Sequence, residues 1–282
     1  MADTDKARRH LVVSRFNENL DWTSWMPVDA FDHVFIYNKG PDNLHEVAGN
    51  VLGSEKLPHG KFTIIQLPNV GKCDHTYLHH IIENYNNLAD VNVFLPANCD
   101  HVDKIFNTIA TIGKALKYNM STFICHEYAN SVSSTMFGLL FDSYESRDAR
   151  NKQLYSSDYT RASPIRPFGL WYGFNFQEIP IHHCCYQGIF AVERRHVMQR
   201  YIDSYKHFLG YLSTHPNPEV GHYIERSWLA MFHPVPEECV HVMPENKFVR
   251  MTLSPGTEFT LRSLPDIDMN RPSVGKIKHA DS

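Results

Sequence analysis

The sequence predicts one α/β domain built on a mixed, mostly parallel sheet with helices on its faces. Three observations support that expectation. Residues 61–103 read as strand, turn, helix, strand and turn, a complete βαβ unit. Residues 182–232 continue the alternation with a strand followed by two helical patterns. With 282 residues, 43% hydrophobic and 21% charged, the chain can bury a large core as one domain or two closely joined ones, and no repeat, low-complexity tract or clean linker divides it.

In order, residues 1–9 are a polar, flexible lead-in. His10 to Phe16 is the first strand, and Arg15, Asn17, Glu18, Asn19 and Asp21 crowd the loop at its carboxyl end. Ligands of open α/β sheets gather at such ends, so Arg15 and Asn17 either meet a nucleotide or belong to an ordinary solvated loop. Trp22, Trp25 and Met26 are expected in the core. Val34 to Tyr37 is the second strand, and the turn Asn38-Lys39-Gly40-Pro41 leaves Tyr37 able to stack on a base and Lys39 near phosphate. Residues 41–60 form a polar connection. Phe62 to Leu67, with β-branched Thr63, Ile64 and Ile65, reads as a buried parallel strand that Pro68, Asn69 and Gly71 break. The helix after it is capped by Asp74 and repeats Tyr77, Leu78, Ile81, Ile82 and Tyr85 at helical spacing before the strand Val91 to Leu95. The loops Asn69 to Asp74 and Pro96 to Asp103 then lie at the binding edge of the sheet.

A second helix is expected from Asp100 to Tyr118, with Asp100 as cap, Asp103 at the capping-box position, and Val102, Phe106, Ile109, Ile112 and Leu116 on one face. Phe123 to Cys125 is a further strand. Glu127 to Gly169 lacks a clear period and reads as irregular; its Arg147, Arg150, Lys152, Arg161 and Arg166 could line an anionic substrate or simply decorate an exposed loop. Trp171 to Phe176 is aromatic enough to wall a pocket. Cys184 to Val192 alternates as a strand around Gly188, and Arg194 to Leu212 is helical by Val197, Tyr201, Tyr205, Phe208 and Leu212. Pro216 and Pro218 interrupt. Glu219 to Phe232 is the last helix, packed through Tyr223, Trp228 and Phe232, and able to bring Glu225 and Arg226 to a cleft.

A formal net charge of −4 gives no overall basic footprint, so nucleic acid is not an expected partner. Six scattered cysteines without a CxxC pair fit reduced thiols in a cytoplasmic protein. No stretch has the apolar length of a signal peptide or an integral membrane segment. Asn119-Met120-Ser121 is read as a chance glycosylation tripeptide. His75 and His79 are four apart on one helix and could reach one metal, but the glutamate of an HExxH motif is missing, so packing, capping or a substrate contact competes with that reading. His182 and His183 point to opposite faces of a strand, and Cys184 has no evident catalytic partners.

The segments VVSRFNENLDW, FIYNKG, LPNVGKCDHTYLHHIIENYNNLADVNVFLPANCDH, QGIFAVERRHV and YIERSW resemble a family of formerly unassigned fungal and algal-virus proteins related to GT-A glycosyltransferases, over most of Val12 to Phe232. The likeness is nearest to the chlorovirus xylosyltransferases that act on a capsid N-glycan. It implies a GT-A-like, Rossmann-related single domain at 10–265, with a donor half at about 10–125, an acceptor half at about 126–265, and a tail at 266–282. It implies a UDP-sugar donor, UDP-xylose among them, an oligosaccharide or glycoprotein acceptor, inversion by direct displacement, and action in a host cytoplasm if the protein is viral. On this resemblance the donor meets Arg15, Asn17, Tyr37, Lys39, Asn69, Gly71, Lys72, His79, Asn98 and Asp100. The acceptor meets Trp171, Tyr172, Gly188 and Arg226, and Glu225 is the catalytic base.

One departure from that family pattern affects the chemistry. A DxD triplet holds Mn2+ or Mg2+ through two carboxylates, whereas this chain has Asn98-Cys99-Asp100, leaving Asp100 as the one metal ligand. Without an ion, Arg15, Lys39, Lys72 or an arginine of residues 127–169 must neutralise the diphosphate. A catalytically inactive carbohydrate-binding or assembly protein on the same fold is the competing expectation.

Overall fold

Four apolar runs form the parallel half of the sheet: β1 (Arg9–Arg15), β2 (His33–Asn38), β3 (Phe62–Gln66) and β4 (Val91–Pro96), in the spatial order β3-β2-β1-β4. The computed structural model describes residues 7–42, 60–127, 137–141, 160–177, 179 and 183–243. The polar connection expected at 41–60, apart from its ends, Arg147, Arg150, Lys152, His182 and the tail lie outside them.

Every residue of β4 and all but the first of β1 are buried, which is why both read as nearly continuous apolar runs. β3 is instead half exposed, with Thr63 and Gln66 open to solvent, because among the described residues it ends the strand order and pairs only with β2. After β3 the chain runs through α1 (Lys72–Glu83) and returns as β4 on the far side of β1. The direction of strand addition therefore reverses between β1 and β4, and the carboxyl ends of these two strands are where open α/β sheets place their ligands.

The rest of the sheet is mixed. β5 (Thr122–Glu127) and β7 (Phe190–Glu193) pair antiparallel, β7 joins β4 antiparallel, β6 (His183–Cys184) pairs β5 antiparallel, and β8 (Val240–Met243) adds to β5 in parallel. The strand expected from Cys184 to Val192 is split in two. Gln187 and Gly188 both have positive φ, 75° and 64°, and turn the chain between β6 and β7, where Tyr77 Oη donates to the Gly188 carbonyl at 2.8 Å.

The helices also depart from their sequence pattern. α2 (Ile105–Tyr118) begins after Lys104, so neither Asp100 nor Asp103 caps it; the segment before it is a run of turns in which His101 N–H bonds to Asn98 and Lys104 N–H to His101. α1 is preceded by Gly71, and Asp74 lies inside its first turn rather than capping it. α3 (Phe168–Phe176) occupies the stretch read as a pocket wall. The helix expected from 194 to 212 breaks into α4 (Arg194–Val197) and α5 (Ile202–Leu212). Tertiary bonds hold that break: Tyr85 Oη donates to the Arg200 carbonyl at 2.6 Å, and Arg200 Nε donates to the Met231 carbonyl at 3.1 Å. α6 (Glu219–Met231) falls within one residue of its expected span.

The core lies on both faces of the sheet. Trp22, Met26 and Phe31 pack on one, with Trp25 half-buried beside them; Tyr77, Trp171, Tyr205 and Trp228 pack on the other. Glu219 anchors the start of α6, accepting from Phe141 N–H and Ser163 N–H at 2.7 Å, Tyr223 Oη at 2.8 Å and Arg166 Nη2 at 3.1 Å. Cys125 and Cys185 form a disulfide, contrary to six reduced thiols, because β5 brings residues 60 apart in sequence together. Disulfides persist in oxidising compartments, which withdraws the support that the cysteine pattern gave to a cytoplasmic location. Among the described residues no helix is long and apolar enough to cross a membrane.

Candidate functional site

The loop at the carboxyl ends of β1 and β4 is firmly held. Ala97 N–H donates to the Ser14 carbonyl, Trp22 Nε1 donates to the Ala97 carbonyl, both at 2.8 Å, and Thr108 Oγ1 donates to the Cys99 carbonyl at 2.9 Å. This presents Asn98, whose Oδ1 accepts from Lys104 Nζ at 2.6 Å. From the same loop a polar chain runs toward α6. Asn107 Nδ2 donates to Gln187 Oε1, Gln187 Nε2 donates to the Asp103 carbonyl, and Gln187 N–H donates to Glu225 Oε1 at 2.9 Å. Glu225 Oε2 lies 3.6 Å from Arg226 Nη1.

The start of α1 faces this chain. Gly71 has φ 60°, and a Cβ there would sit 2.6 Å from Leu212 Cβ, so only glycine lets the helix begin this close to α5. Asp74 is buried and its Oδ1 accepts from Trp228 Nε1 at 2.8 Å. Burial, with the nearby Glu225 charge adding, pushes the Asp74 carboxyl up to about 7, against the pull of the Trp228 bond, Lys72 and Lys39. Lys39 is also buried, its ammonium donating to the carbonyls of Val70 and Lys72, and burial lowers it to about 7. Burial raises the Cys73 thiol; Asp74 and Glu225 raise it further, while Lys104 and Lys39 oppose them. Charges from the β2 end, the α1 start, the β4 loop and α6 therefore act on one small region.

A resident Mn2+ or Mg2+ fits this donor set poorly. Such ions take six or more oxygens, several of them carboxylate or water. Here Asn98 Oδ1 is engaged by an ammonium, Cys99 is fully buried, and among the described residues no group of three or more His, Cys, Asp or Glu could hold an ion. His75 and His79 stack in parallel, 6.3 Å apart, and the His75 imidazole, lowered to about 3 by burial with Lys39 and His79 adding, stays neutral.

The remaining expected residues divide. Arg15 is taken up by the protein itself: its guanidinium donates to the Glu18 carbonyl at 2.7 Å, Asn38 Oδ1 at 2.7 Å and Asp42 Oδ2 at 2.6 Å, joining the loops after β1 and β2. Asn17 Oδ1 is buried without a hydrogen-bond partner. Tyr37 is not free to stack on a base; it is 1% exposed, bonded through Oη to His80 Nδ1 at 2.9 Å and packed edge-on against His79. Asn69 and Lys72 flank Gly71, and Asp100 sits in the turns after β4. Trp171 and Tyr172 are buried core residues that support α6 from behind rather than lining a site. Gly188 and Arg226 do lie beside Glu225, with the Arg226 guanidinium over the rings of Phe141 and Tyr186 at 4.7 and 5.0 Å. Lys104 and Gln187 belong to no motif in the sequence, and Asp74 there has the pattern of a cap. A helical pattern running through Lys104 hides it, and only the Gln187-Gly188 pair hints at a turn.

These features define an α/β protein with a cluster of polar side chains near the switch point of a partly parallel sheet. A family model described as "Protein of unknown function (DUF3431)" matches residues 11–244, and the chain belongs to that family. No curated protein matches it.

Proposed function

We propose that this chain is a GT-A-like glycosyltransferase that moves a sugar, xylose in the first instance, from a UDP-sugar to a hydroxyl of a glycan such as a viral capsid N-glycan. The observation that supports it best is the meeting, at the β1/β4 switch point, of a glycine-started helix, a lysine-bearing loop and a carboxylate fixed on α6. A nucleotide laid across the carboxyl ends of β1 and β4 directs its phosphates toward the first turn of α1, where the helix N-terminus and the charge of Lys72 favour anions. The acceptor hydroxyl then lies against Glu225. As that oxygen attacks the anomeric carbon, Glu225 takes its proton, the bond from carbon to the diphosphate oxygen breaks, and UDP leaves with the electron pair. Direct displacement inverts the anomeric centre.

The test is UDP release from UDP-xylose with and without glycan acceptors, with the anomeric configuration of the product read by NMR. UDP at about a hundred times its dissociation constant should also stabilise the fold by about 2.7 kcal/mol. A melting temperature unmoved by any uridine nucleotide, or a product of retained configuration, counts against the proposal. Glycan binding without turnover of any nucleotide sugar favours the inactive carbohydrate-binding protein instead.

A further inference from the structure

Resting on that transferase reading, we infer that Lys104 supplies the positive charge that neutralises the leaving diphosphate, at the place where a divalent ion would otherwise stand. Lys104 Nζ is fixed 2.6 Å from Asn98 Oδ1, on the first residue of the Asn98-Cys99-Asp100 triplet at the end of β4. Its field reaches both Cys99 in that loop and Cys73 in the first turn of α1, lowering each thiol against the effect of burial. The ammonium is thus held on the β4 loop, and its charge is felt at the start of α1.

The identity of residue 98 matters. An aspartate there would pair with Lys104 and cancel its charge, whereas the neutral amide of Asn98 orients the ammonium and leaves its charge available. An ammonium has three donors, so one bond to Asn98 leaves two for phosphate oxygens. Two other cations near this edge are engaged elsewhere, Arg15 with Asp42 and Lys39 with the carbonyls of Val70 and Lys72, while Lys72 acts from the α1 side of the phosphates. In the transfer step the electron pair of the broken carbon–oxygen bond remains on the terminal phosphate oxygen, and Lys104 stabilises that charge as it develops.

The experiment measures binding of UDP and UMP to the wild-type chain, Lys104→Gln and Lys104→Arg, each in EDTA and in Mn2+. We expect wild-type affinity for UDP to be the same in EDTA as in Mn2+. Lys104→Gln should weaken UDP by about 10- to 100-fold, the usual worth of a charged hydrogen bond, and leave UMP within about two-fold. Lys104→Arg should keep most of the UDP affinity. UDP binding that requires Mn2+, or equal losses for UDP and UMP in the Gln variant, would overturn the inference while leaving the transferase reading intact. If the wild-type chain binds neither nucleotide, the transferase reading falls and the inference with it. The wild-type metal dependence decides even if the Gln variant folds poorly.

Discussion

The Gln187 backbone N–H donates to Glu225 Oε1 at 2.9 Å, so a residue in a left-handed turn fixes a carboxylate on a helix 38 residues away. The same turn is tied to the sheet, because Cys185, two residues before Gln187, is bonded to Cys125 on β5. A carboxylate held by a backbone donor is positioned independently of the donor residue's own side-chain rotamer.

Glu225→Gln should preserve shape while removing basicity. We expect transfer to fall by about 10²- to 10⁴-fold, with UDP affinity unchanged. Steady-state rates beside a nucleotide titration check this, and full turnover in the variant removes Glu225 from the chemistry.

Asp74 gives a pH signature. The folded chain holds its proton up to about pH 7, whereas the unfolded chain releases it near 3.8. Between those values the folded state binds the extra proton, so this group's contribution to stability falls as pH rises from about 4 to about 7 and stays low above. Lys39 slopes the other way above pH 7, where the unfolded chain keeps a proton that the folded chain has lost. Asp74→Asn can still accept from Trp228 Nε1. It should match the wild type near pH 4 and exceed it at pH 8 by up to about 4 kcal/mol, less whatever support ionised Asp74 gives to Lys39. Urea midpoints across that range measure the difference; parallel curves for the two proteins would show that Asp74 does not titrate there.

Gly188→Ala places a Cβ 2.9 Å from Cys73 Sγ at a residue with φ 64°. The strain should cost about 1–3 kcal/mol and, by moving the Gln187 N–H, should slow transfer more than it weakens UDP binding. Chemical denaturation and the split between kcat and KM report the two effects separately.

Glu219→Ala leaves the donors of Phe141, Ser163, Tyr223 and Arg166 without their acceptor at the start of α6. We expect a loss of about 3–5 kcal/mol, because several donors at once, the buried Ser163 N–H among them, lose an acceptor at about 1–3 kcal/mol each. A thermal melt within a degree or two of the wild type would show that the network relaxes.

Local pattern alone determined the parallel half of this protein. The runs at Leu11 to Val13, Val34 to Tyr37 and Val91 to Leu95, the helical spacing of Tyr77, Leu78 and Ile81, and the last helix at Glu219 are short-range signals of burial and period, and the strands and helices formed where those signals lie. Glu225 on an inward-packed helix was legible for the same reason. Tertiary structure decided the rest, because it depends on partners far away in sequence. Asp74 looks like an N-cap until Trp228, 154 residues on, takes its carboxylate. Arg15 and Tyr37 look like ligand contacts at strand ends until Asp42 and His80 claim them. Arg194 to Leu212 keeps a helical period through residues that bonds from Tyr85 and to Met231 hold out of the helix. Lys104 meets Asn98 only once the turns after β4 fold its ammonium back, a contact that no periodicity encodes.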